Sequence, residues 1–433
     1  MNALPLFGAT FAVCSMLAPA LRADAVFDPL VNRDVLWELT QENFQKATQG
    51  MPFDWTSDAR DSIRAAGDDM TLFGLPLTEV VARFNDGKLT KIDATIYARG
   101  DAGELSEEKF DALVTQAVGA ISKATRVKYS VRGKDPKNAV KAFGLVWESP
   151  RGFYTLKYSK IKEVKSRAIP FRAEFVRLEI EPPKKELGLL ATAEKRRQAA
   201  FDGPQHVERD TTSGDVWIGS IPMVDQGEKG YCVVASIERV MRYYGTDVDS
   251  NELAQVANSS AEEGTSLDAM RDSMRKLTAR LRVRVREVEK VGFREIRAML
   301  KDYNRAAKRL GQREIPDPGD FIDVDALYRA MDAEVLKAAR THNKSDLERF
   351  HRDVKASIDK GIPLLWSVQL GLVSEKGVPQ AGGSHMRLII GYNEKTEEII
   401  YSDSWGAGHE KKRMKADDAW TITISLMTVS PLS

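Results

Sequence analysis

The amino-acid sequence predicts an α+β protein that folds into two successive domains. Its 433 residues exceed the length that one hydrophobic core usually serves, so two cores are expected. Segments that alternate apolar and polar residues, as half-buried strands do, are mixed with segments whose apolar residues recur at helical spacing. Hydrophobic residues make up 42% and charged residues 29% of the chain, a composition typical of a globular protein and unlike that of a disordered or fibrous one.

Residues 1–23 predict a secretory signal peptide. They contain no charged side chain before Arg22, and the triplets "APA" and "ADA" offer small-residue cleavage sites. We therefore expect export to the periplasm or the extracellular space, with no stable membrane insertion once the signal is removed. The segment lacks the basic start that such signals usually have, so an uncleaved membrane anchor is the alternative.

The charge and the cysteine content limit the partners and the stabilising bonds that are expected. The formal net charge is +1, which gives no electrostatic reason to expect nucleic acid or an anionic membrane as the main partner. After signal removal Cys232 is the one cysteine left, so no internal disulfide is expected. An unpaired thiol is prone to oxidation in an exported protein, and its retention raises the question of its use.

The first domain, residues 26–180, is predicted to be an α+β unit. The segment "KIDATIYA" alternates in the pattern of a strand, and Ser106 is the expected N-cap of a helix with apolar residues on one face. The segment "FGLVWESPRGFYTLKYS" predicts two strands joined by a turn, and "FRAEFVRLEIE" predicts a further strand. Nothing in these residues indicates chemistry, so the role of this domain is left open.

Residues 181–215 are predicted to be a linker and residues 216–433 to form the second domain. The linker combines a Pro pair, basic clusters and a Gly/Ser/Thr-rich end without sustained periodicity. In the second domain a capping box is expected at residues 265–268, and two amphipathic helices are expected to end at Gly311 and Gly361. The predicted strands "IPLLWSVQL", "HMRLIIGYN" and "EEIIYSDSW" follow.

Cys232 is predicted to lie in the first turn of a helix. Apolar residues recur at helical spacing through "VVASIERVMRYYG", which follows the cysteine and ends at a glycine. Unpaired backbone amides and the helix dipole favour an anion at this end, which lowers the pKa of a thiol and makes it more reactive. Gly227 and Gly230 allow a substrate to approach the backbone closely. The competing interpretation is a small packed residue without reactivity.

Three further polar residues complete a candidate catalytic group. Gln226 precedes the cysteine by six positions across a turn, where its amide is suited to donate to the oxyanion formed when sulfur attacks a carbonyl. His385 stands at the mouth of an apolar strand and is the candidate base. Asp403 ends the next strand, and pairing of these strands would set its carboxylate against the imidazole. Each residue also has a structural interpretation, as a turn glutamine, a core-edge histidine and a strand-end cap.

Together Gln226, Cys232, His385 and Asp403 resemble the catalytic residues of papain-like cysteine peptidases. Their order is that of the clan, the spacings of six and 153 residues are close to the papain pattern, and "DSWG" is similar to the papain-like "NSWG". The sequence around the cysteine is more similar to the bacteriocin-processing, double-glycine peptidase-like branch, whose third member is an aspartate. The resemblance implies a helical part that carries the cysteine, antiparallel strands that carry the histidine and the aspartate, and a peptide or protein substrate.

The resemblance covers a minority of the chain. It extends over roughly residues 221–270 and 361–406, and the helical segment between them is not matched. The papain sequence "CGSCW" is absent, and Tyr231 precedes the nucleophile. The transporter portion to which processing peptidases are fused is also absent, so cleavage of leader peptides is not implied.

The leading hypothesis is an exported cysteine hydrolase, a peptidase that cleaves amide bonds with a Cys-His-Asp triad and a Gln oxyanion donor and needs no cofactor. Acyl transfer to an amine uses the same residues and stays open. The alternative is a papain-like scaffold without catalytic turnover that acts as a binding or interaction protein, which the large first domain motivates. A zinc site of one Cys, one His and one Asp is disfavoured, because CxxC, HExxH and close His pairs are missing.

Overall fold

The structure of the protein is a computed structural model. It describes residues 25–132, 142–163, 166, 170–183, 201–227, 231–246, 248, 250–257, 278, 281, 283–290, 292–319, 322–380 and 382–432. The predicted signal peptide at 1–23, the predicted capping box at 265–268 and Gly230 lie outside these residues. The described residues form a mixed structure of helices and two sheets, consistent with the predicted α+β class.

The first sheet lies in the N-terminal part of the chain and has nine strands. They are β1 (Ala25–Val26), β2 (Phe53–Trp55), β3 (Ser62–Leu72), β4 (Leu75–Asn85), β5 (Lys88–Ala98), β6 (Ser130–Arg132), β7 (Phe143–Ser149), β8 (Gly152–Ile161) and β9 (Arg172–Glu181). The helices of this part are α1 (Asp28–Val31), α2 (Gln41–Ala47), α3 (Arg99–Ala102) and α4 (Glu107–Thr125), with a 3-10 helix at Leu36–Glu38. The strand order is β1-β3-β4-β5-β9-β8-β7-β6, and β2 pairs with β3. Strands β1 and β3 are parallel, and the other pairs are antiparallel.

The predicted elements of the N-terminal part are confirmed. Strand β5 contains the segment "KIDATIYA", and β7, β8 and β9 contain the three strands predicted after it. Helix α4 begins as expected, because the Ser106 hydroxyl accepts a hydrogen bond from the backbone N–H of Lys109 at 3.3 Å. Phe110, Ala117 and Ile121 of α4 are buried with the apolar residues of the sheet in one core.

Part of the first sheet buries charged residues instead of apolar ones. Ile92 and Ala94 of β5 belong to the apolar core, whereas Asp93 between them points to the opposite face and is also buried. Lys91 Nζ lies 3.3 Å from Asp93 Oδ1, and Arg177 Nη2 of β9 lies 3.7 Å from the same oxygen. A polar cavity on this face is lined by residues of both parts of the chain, so the C-terminal part covers it.

The second sheet has eight strands and follows the first in the chain. They are β10 (Val207–Arg209), β11 (Asp215–Ile218), β12 (Val283–Glu289), β13 (Leu364–Leu370), β14 (Gly383–Asn393), β15 (Glu398–Ser402), β16 (Lys412–Lys415) and β17 (Thr423–Pro431). The strand order is β10-β11-β14-β13-β17-β12, and β15 pairs with both β14 and β16. All of these pairs are antiparallel.

Helices pack around this second sheet. They are α5 (Cys232–Tyr243), α6 (Ser250–Ala257), α7 (Phe293–Leu310), α8 (Val324–Arg329), α9 (Ala333–His342), α10 (Lys344–Ile358) and α11 (Ala416–Ile422), with a 3-10 helix at Gly203–His206. Helices α5 and α10 contact β14, the strand that carries His385. Helices α7, α8 and α9 share a separate apolar cluster with Ile424 of β17.

Two helix ends and one linker prediction can be compared with the structure. Helix α7 ends at the predicted Gly311, which adopts a φ of +67°. Helix α10 ends at Ile358, before the predicted Gly361, because Asp359 is the C-cap and Gly361 closes the turn that follows with a φ of +67°. Within the predicted linker, residues 203–209 form a 3-10 helix and β10 of the second sheet. Among the described residues, no helix has both the length and the apolar character needed to cross a membrane.

Candidate active site

Cys232 is the first residue of α5, the position that the helical periodicity predicts. The apolar residues of α5 are buried in the core of the second sheet, which fixes the side of the helix that faces β14. One turn after the cysteine, the Ser236 hydroxyl donates to the backbone oxygen of Met386 at 3.4 Å. Because Met386 adjoins His385 in β14, this contact holds the start of α5 beside the histidine.

Cys232 and His385 are close enough for each to change the pKa of the other. Burial alone raises the pKa of the thiol, but the neighbouring imidazole and its positive charge outweigh burial and lower that pKa. Burial alone lowers the pKa of His385, but the hydrogen bond with Asp403 and the neighbouring Cys232 outweigh it and raise the pKa to about 9. Both shifts favour a thiolate paired with an imidazolium.

Asp403 binds the side of the imidazole away from the thiol. His385 Nε2 lies 2.9 Å from Asp403 Oδ1, and Nδ1, the other ring nitrogen, is buried and has no hydrogen-bond partner among the described residues. The strands explain the contact, because β15 pairs with β14 in a register that sets Ser402 opposite Leu388, and Asp403 follows directly. The indole of Trp405 stacks on the imidazole, with ring centroids 4.1 Å apart and planes inclined by 7°, and covers one face of it.

Gln226 is joined to the same loop that carries Asp403. Its backbone N–H donates to the backbone oxygen of Ser404 at 2.8 Å, and its side-chain Oε1 accepts from the Ser404 hydroxyl at 2.6 Å. The engagement of Oε1 orients the carboxamide, whose other end is the Nε2 donor. Gly227, the next residue, adopts a φ of +65°, a left-handed conformation that glycine tolerates best.

The structure therefore brings the four predicted residues to one region of the second sheet. Cys232 lies at the start of α5, His385 near the start of β14, Asp403 after β15, and Gln226 against the loop that follows Asp403. The polar arrangement has the elements of nucleophilic acyl chemistry: a thiol, a base with an orienting carboxylate, and a carboxamide donor. Within the described part of the chain, no group of three or more His, Cys, Asp or Glu side chains is arranged as a metal site.

Comparison with known protein families finds a match in the C-terminal part of the chain. Residues 294–425 match the model of the Peptidase_C39 like family. The match supports a papain-like, cysteine peptidase-like family. It contains His385 and Asp403 and begins after Cys232, and it includes most of the helical segment that the sequence resemblance leaves unmatched. No curated protein sequence matches the chain.

Arg387 and its partner Glu375 contact the candidate site but are absent from the predicted group. Arg387 Nε lies 3.0 Å from Asp403 Oδ1, the oxygen that also contacts His385, and Arg387 Nη1 lies 2.9 Å from Glu375 Oε2. Its guanidinium also covers the ring of Tyr401, 4.6 Å from the ring centroid. Burial alone raises the pKa of Asp403, but His385 and Arg387 outweigh it and lower the pKa. The sequence does contain an indication of this role. Arg387 is a charged residue inside an apolar strand, and it lies two positions after His385, on the same face of that strand.

Arg239 is a second buried arginine that ties the parts of the site together. It lies two turns after Cys232 on α5 and donates from Nη1 to the backbone oxygen of Asp403 at 2.8 Å. It also donates from Nε to the backbone oxygen of Pro222, at 2.9 Å, in the segment that leads to Gln226. Burial lowers the pKa of Arg239 to about 10. One side chain thus links the cysteine helix to the segments that carry the aspartate and the glutamine.

Proposed function

We propose that the protein is an exported cysteine peptidase that hydrolyses amide bonds. The observation that carries the proposal is the start of α5 with Cys232, held against β14 beside His385, whose Nε2 contacts Asp403. The C39-like match supports a peptide or protein as the substrate class. Export rests on the sequence of residues 1–23 alone.

In this proposal Cys232 is the nucleophile. Its thiolate attacks the carbonyl carbon of the substrate, the carbonyl oxygen takes the negative charge, and the His385 imidazolium gives its proton to the departing amine. A water then attacks the thioester while His385 takes a proton from it. Collapse of this intermediate breaks the C–S bond, releases the acid and restores the thiolate beside the imidazolium, which keeps the proton taken from water. Such general acid and base assistance accelerates a reaction by about 10² to 10⁴-fold.

Asp403 and Gln226 have supporting roles in the same scheme. Asp403 holds the imidazole by Nε2, which leaves Nδ1 directed to sulfur, and its charge stabilises the imidazolium. Gln226 donates from its carboxamide to the oxyanion, together with the backbone N–H of Cys232. One such donor lowers the barrier by roughly 3–4 kcal/mol.

Alkylation of Cys232 with iodoacetamide at pH 6 tests the proposal without knowledge of the substrate. Trypsin releases residues 230–239, which contain Cys232 and separate it from Cys14, so mass spectrometry reports this thiol alone. An ordinary thiol is almost fully protonated at pH 6, and pairing with an imidazolium is expected to speed labelling by about 10²-fold. The His385→Ala variant is expected to lose this advantage.

A synthetic peptide of residues 230–239 is the matched reference for a free thiol. Labelling of the folded protein no faster than the peptide contradicts the proposal. Hydrolysis of labelled casein, with Cys232→Ala as the inactive control, is the second measurement. Fast labelling without hydrolysis of any protein substrate would favour the binding scaffold over the peptidase.

A further inference from the structure

The N-terminal part of the chain contacts described residues next to both Gln226 and Cys232. Next to Cys232, the ring of Tyr231 lies against Gly100 of α3. A Cβ atom placed on Gly100 would lie 1.5 Å from the hydroxyl oxygen of Tyr231 and 2.4 Å from Cζ. Only a residue without a side chain fits there, so the tyrosine beside the nucleophile is seated in a notch of the N-terminal part. Its ring is buried, and burial raises the pKa of its hydroxyl.

Next to Gln226, Arg64 of β3 packs on Gly227. A Cβ atom at Gly227 would lie 2.6 Å from Arg64 Nη2, which shows how closely the guanidinium approaches the backbone next to Gln226. Arg64 Nε is held by Glu79 of β4 at 2.5 Å, and Arg64 Nη1 lies 3.8 Å from Asp225 Oδ2. Asp225 in turn accepts from the backbone N–H of Gly227 at 2.8 Å.

The helix that begins at Cys232 is also joined to the N-terminal sheet. Glu238 of α5 is only 1% exposed, and its carboxylate lies 3.6 Å from Arg83 Nη2 of β4. Arg242, one turn further along α5, pairs with the same carboxylate. Arg83 also lies 3.3 Å from Asp93 of β5, so a buried ion network runs from the sheet into the cysteine helix. Ion pairs of this kind favour one geometry, because a displaced partner leaves a buried charge uncompensated.

We propose that the N-terminal part of the chain is a positioning element for the active site, in which Tyr231 seated on Gly100 and Arg64 packed on Gly227 hold Gln226 and Cys232 in place. Its effect on hydrolysis rests on the proposed function. The sheet contributes no reacting group. Its proposed role is to hold the sulfur of Cys232 near the imidazole of His385 and the carboxamide of Gln226 near the oxyanion. A displacement of either group by about 1 Å can lower the rate by about 10²-fold.

The variant Gly100→Ala tests this inference, with Gly119→Ala as its matched control. Gly119 lies in α4 of the same part, and a Cβ there meets nothing within 4 Å. Gly100→Ala is expected to push Tyr231 out of its notch, move Cys232 from His385 and raise the thiol pKa. A rise of one pKa unit slows alkylation at pH 6 about tenfold and moves its pH profile upward. Gly119→Ala is expected to label like wild type.

A double-variant cycle separates positioning from general destabilisation. Tyr231→Ala removes the ring that Gly100→Ala displaces, so Gly100→Ala is expected to have no further effect on labelling in the Tyr231→Ala background. If Gly100→Ala does not fold, Arg64→Ala is the second variant, expected to slow hydrolysis through the loss of support at Gly227. Its control is Lys160→Ala, which removes an ion pair with Asp111 of α4, away from the turn.

The two proposals fail in different ways. Slow labelling of the wild-type protein counts against the proposed function. Fast labelling of the wild-type protein together with an unchanged pH profile in folded Gly100→Ala overturns the positioning role alone. Equal effects of Gly100→Ala in the presence and absence of the Tyr231 ring also overturn it.

Discussion

Both sheets of this protein bury charged side chains, but they organise the charges differently. In the first sheet, the carboxylate of Glu179 is surrounded by cations, with Lys157 Nζ at 2.8 Å and Lys91 Nζ at 3.5 Å, and Arg177 also pairs with it. The charges alternate along β5 and β9, where Lys91 precedes Asp93 and Arg177 precedes Glu179 by two positions, and they compensate one another. In the second sheet, the groups form a chain in which His385 and Arg387 meet on one oxygen of Asp403.

The two networks differ in the group at which each one ends. The first sheet's network ends on further ion pairs, and Arg83 carries it to Glu238 of α5. The second sheet's network ends on a thiol that is partly exposed, so a proton can be exchanged with a bound molecule. Burial of charge alone therefore does not identify a site. A buried network that ends beside a partly exposed thiol is the better candidate for a site.

The same chemical change in each sheet tests this distinction most strongly. Asp403→Asn and Glu179→Gln each replace a buried carboxylate by a carboxamide. Asp403→Asn removes the charge that stabilises the imidazolium, and we expect hydrolysis to fall by about 10² to 10⁴-fold, the range of general acid and base assistance. Glu179→Gln is expected to lower the free energy of unfolding and leave hydrolysis by the folded protein unchanged. Steady-state rates beside urea unfolding curves provide the measurement.

Equal activity of these two variants would remove the distinction between the sheets. If Glu179→Gln loses activity only in proportion to its unfolded fraction, the distinction between the sheets still holds. If the fully folded variant loses activity, the distinction does not hold. Because both substitutions keep the shape of the side chain, a cavity does not complicate the comparison.

The sequence predicts the positions of Cys232, His385 and Asp403 better than it predicts the buried charges that contact them. Cys232 follows from helical periodicity, and His385 and Asp403 follow from their places at two strand ends, because local patterns encode those features. Arg387 follows from the same strand in principle, but its partner Glu375 lies in the loop after β13, whose path no periodicity specifies.

Contacts between distant segments are equally hidden. The notch for Tyr231 exists because α3 brings Gly100 against it, and a contact of this kind has no signature in either segment alone. The charged face of β5 was misleading in another way, because "KIDATIYA" alternates as a half-buried strand does, yet the structure buries both of its faces. An alternating pattern predicts the strand, but a second domain decides whether the polar face meets water.

Removal of one arginine from each network is the next test, with a smaller expected effect. Arg387→Gln and Arg177→Gln each remove one cation from a buried carboxylate, and each is expected to lower the free energy of unfolding by up to about 3–5 kcal/mol, because Asp403 and Glu179 keep other cations. The two variants are expected to differ in their effect on the Cys232 and His385 pair. Loss of Arg387 removes a positive charge near His385 and leaves the imidazole as the remaining cationic partner at Asp403 Oδ1, so the pKa of His385 is expected to rise.

Two measurements check the pair of arginine variants. Urea unfolding gives the stability of each, and the pH profile of iodoacetamide labelling at Cys232 gives the state of the imidazole. Only Arg387→Gln is expected to shift the alkaline end of the labelling and hydrolysis profiles upward. A matching shift in Arg177→Gln would mean that the two networks act on the thiol alike.

The pH dependence of the wild-type protein provides the smallest but most direct contrast. In the first sheet, burial raises the pKa of Asp93, but Lys91 and Arg177 outweigh it and lower the pKa. A lowered carboxyl pKa gives stability that is present above the unfolded value near 4 and is lost as the pH falls through the folded value. The first sheet is therefore sensitive to acid.

The second sheet adds an alkaline limit through His385. Its pKa is raised from 6.5 to about 9, so the stabilisation of the imidazolium is complete below about pH 6.5 and is lost as the pH rises through 9. Hydrolysis needs that proton for the leaving amine, and we expect the rate to fall about tenfold per pH unit above pH 9. In His385→Ala the alkaline loss of stability, measured by urea unfolding across the pH range, is expected to vanish, while acid unfolding stays as in wild type. An alkaline loss of stability that persists in His385→Ala would assign the titration to a different group and break the link between the second network and the reaction.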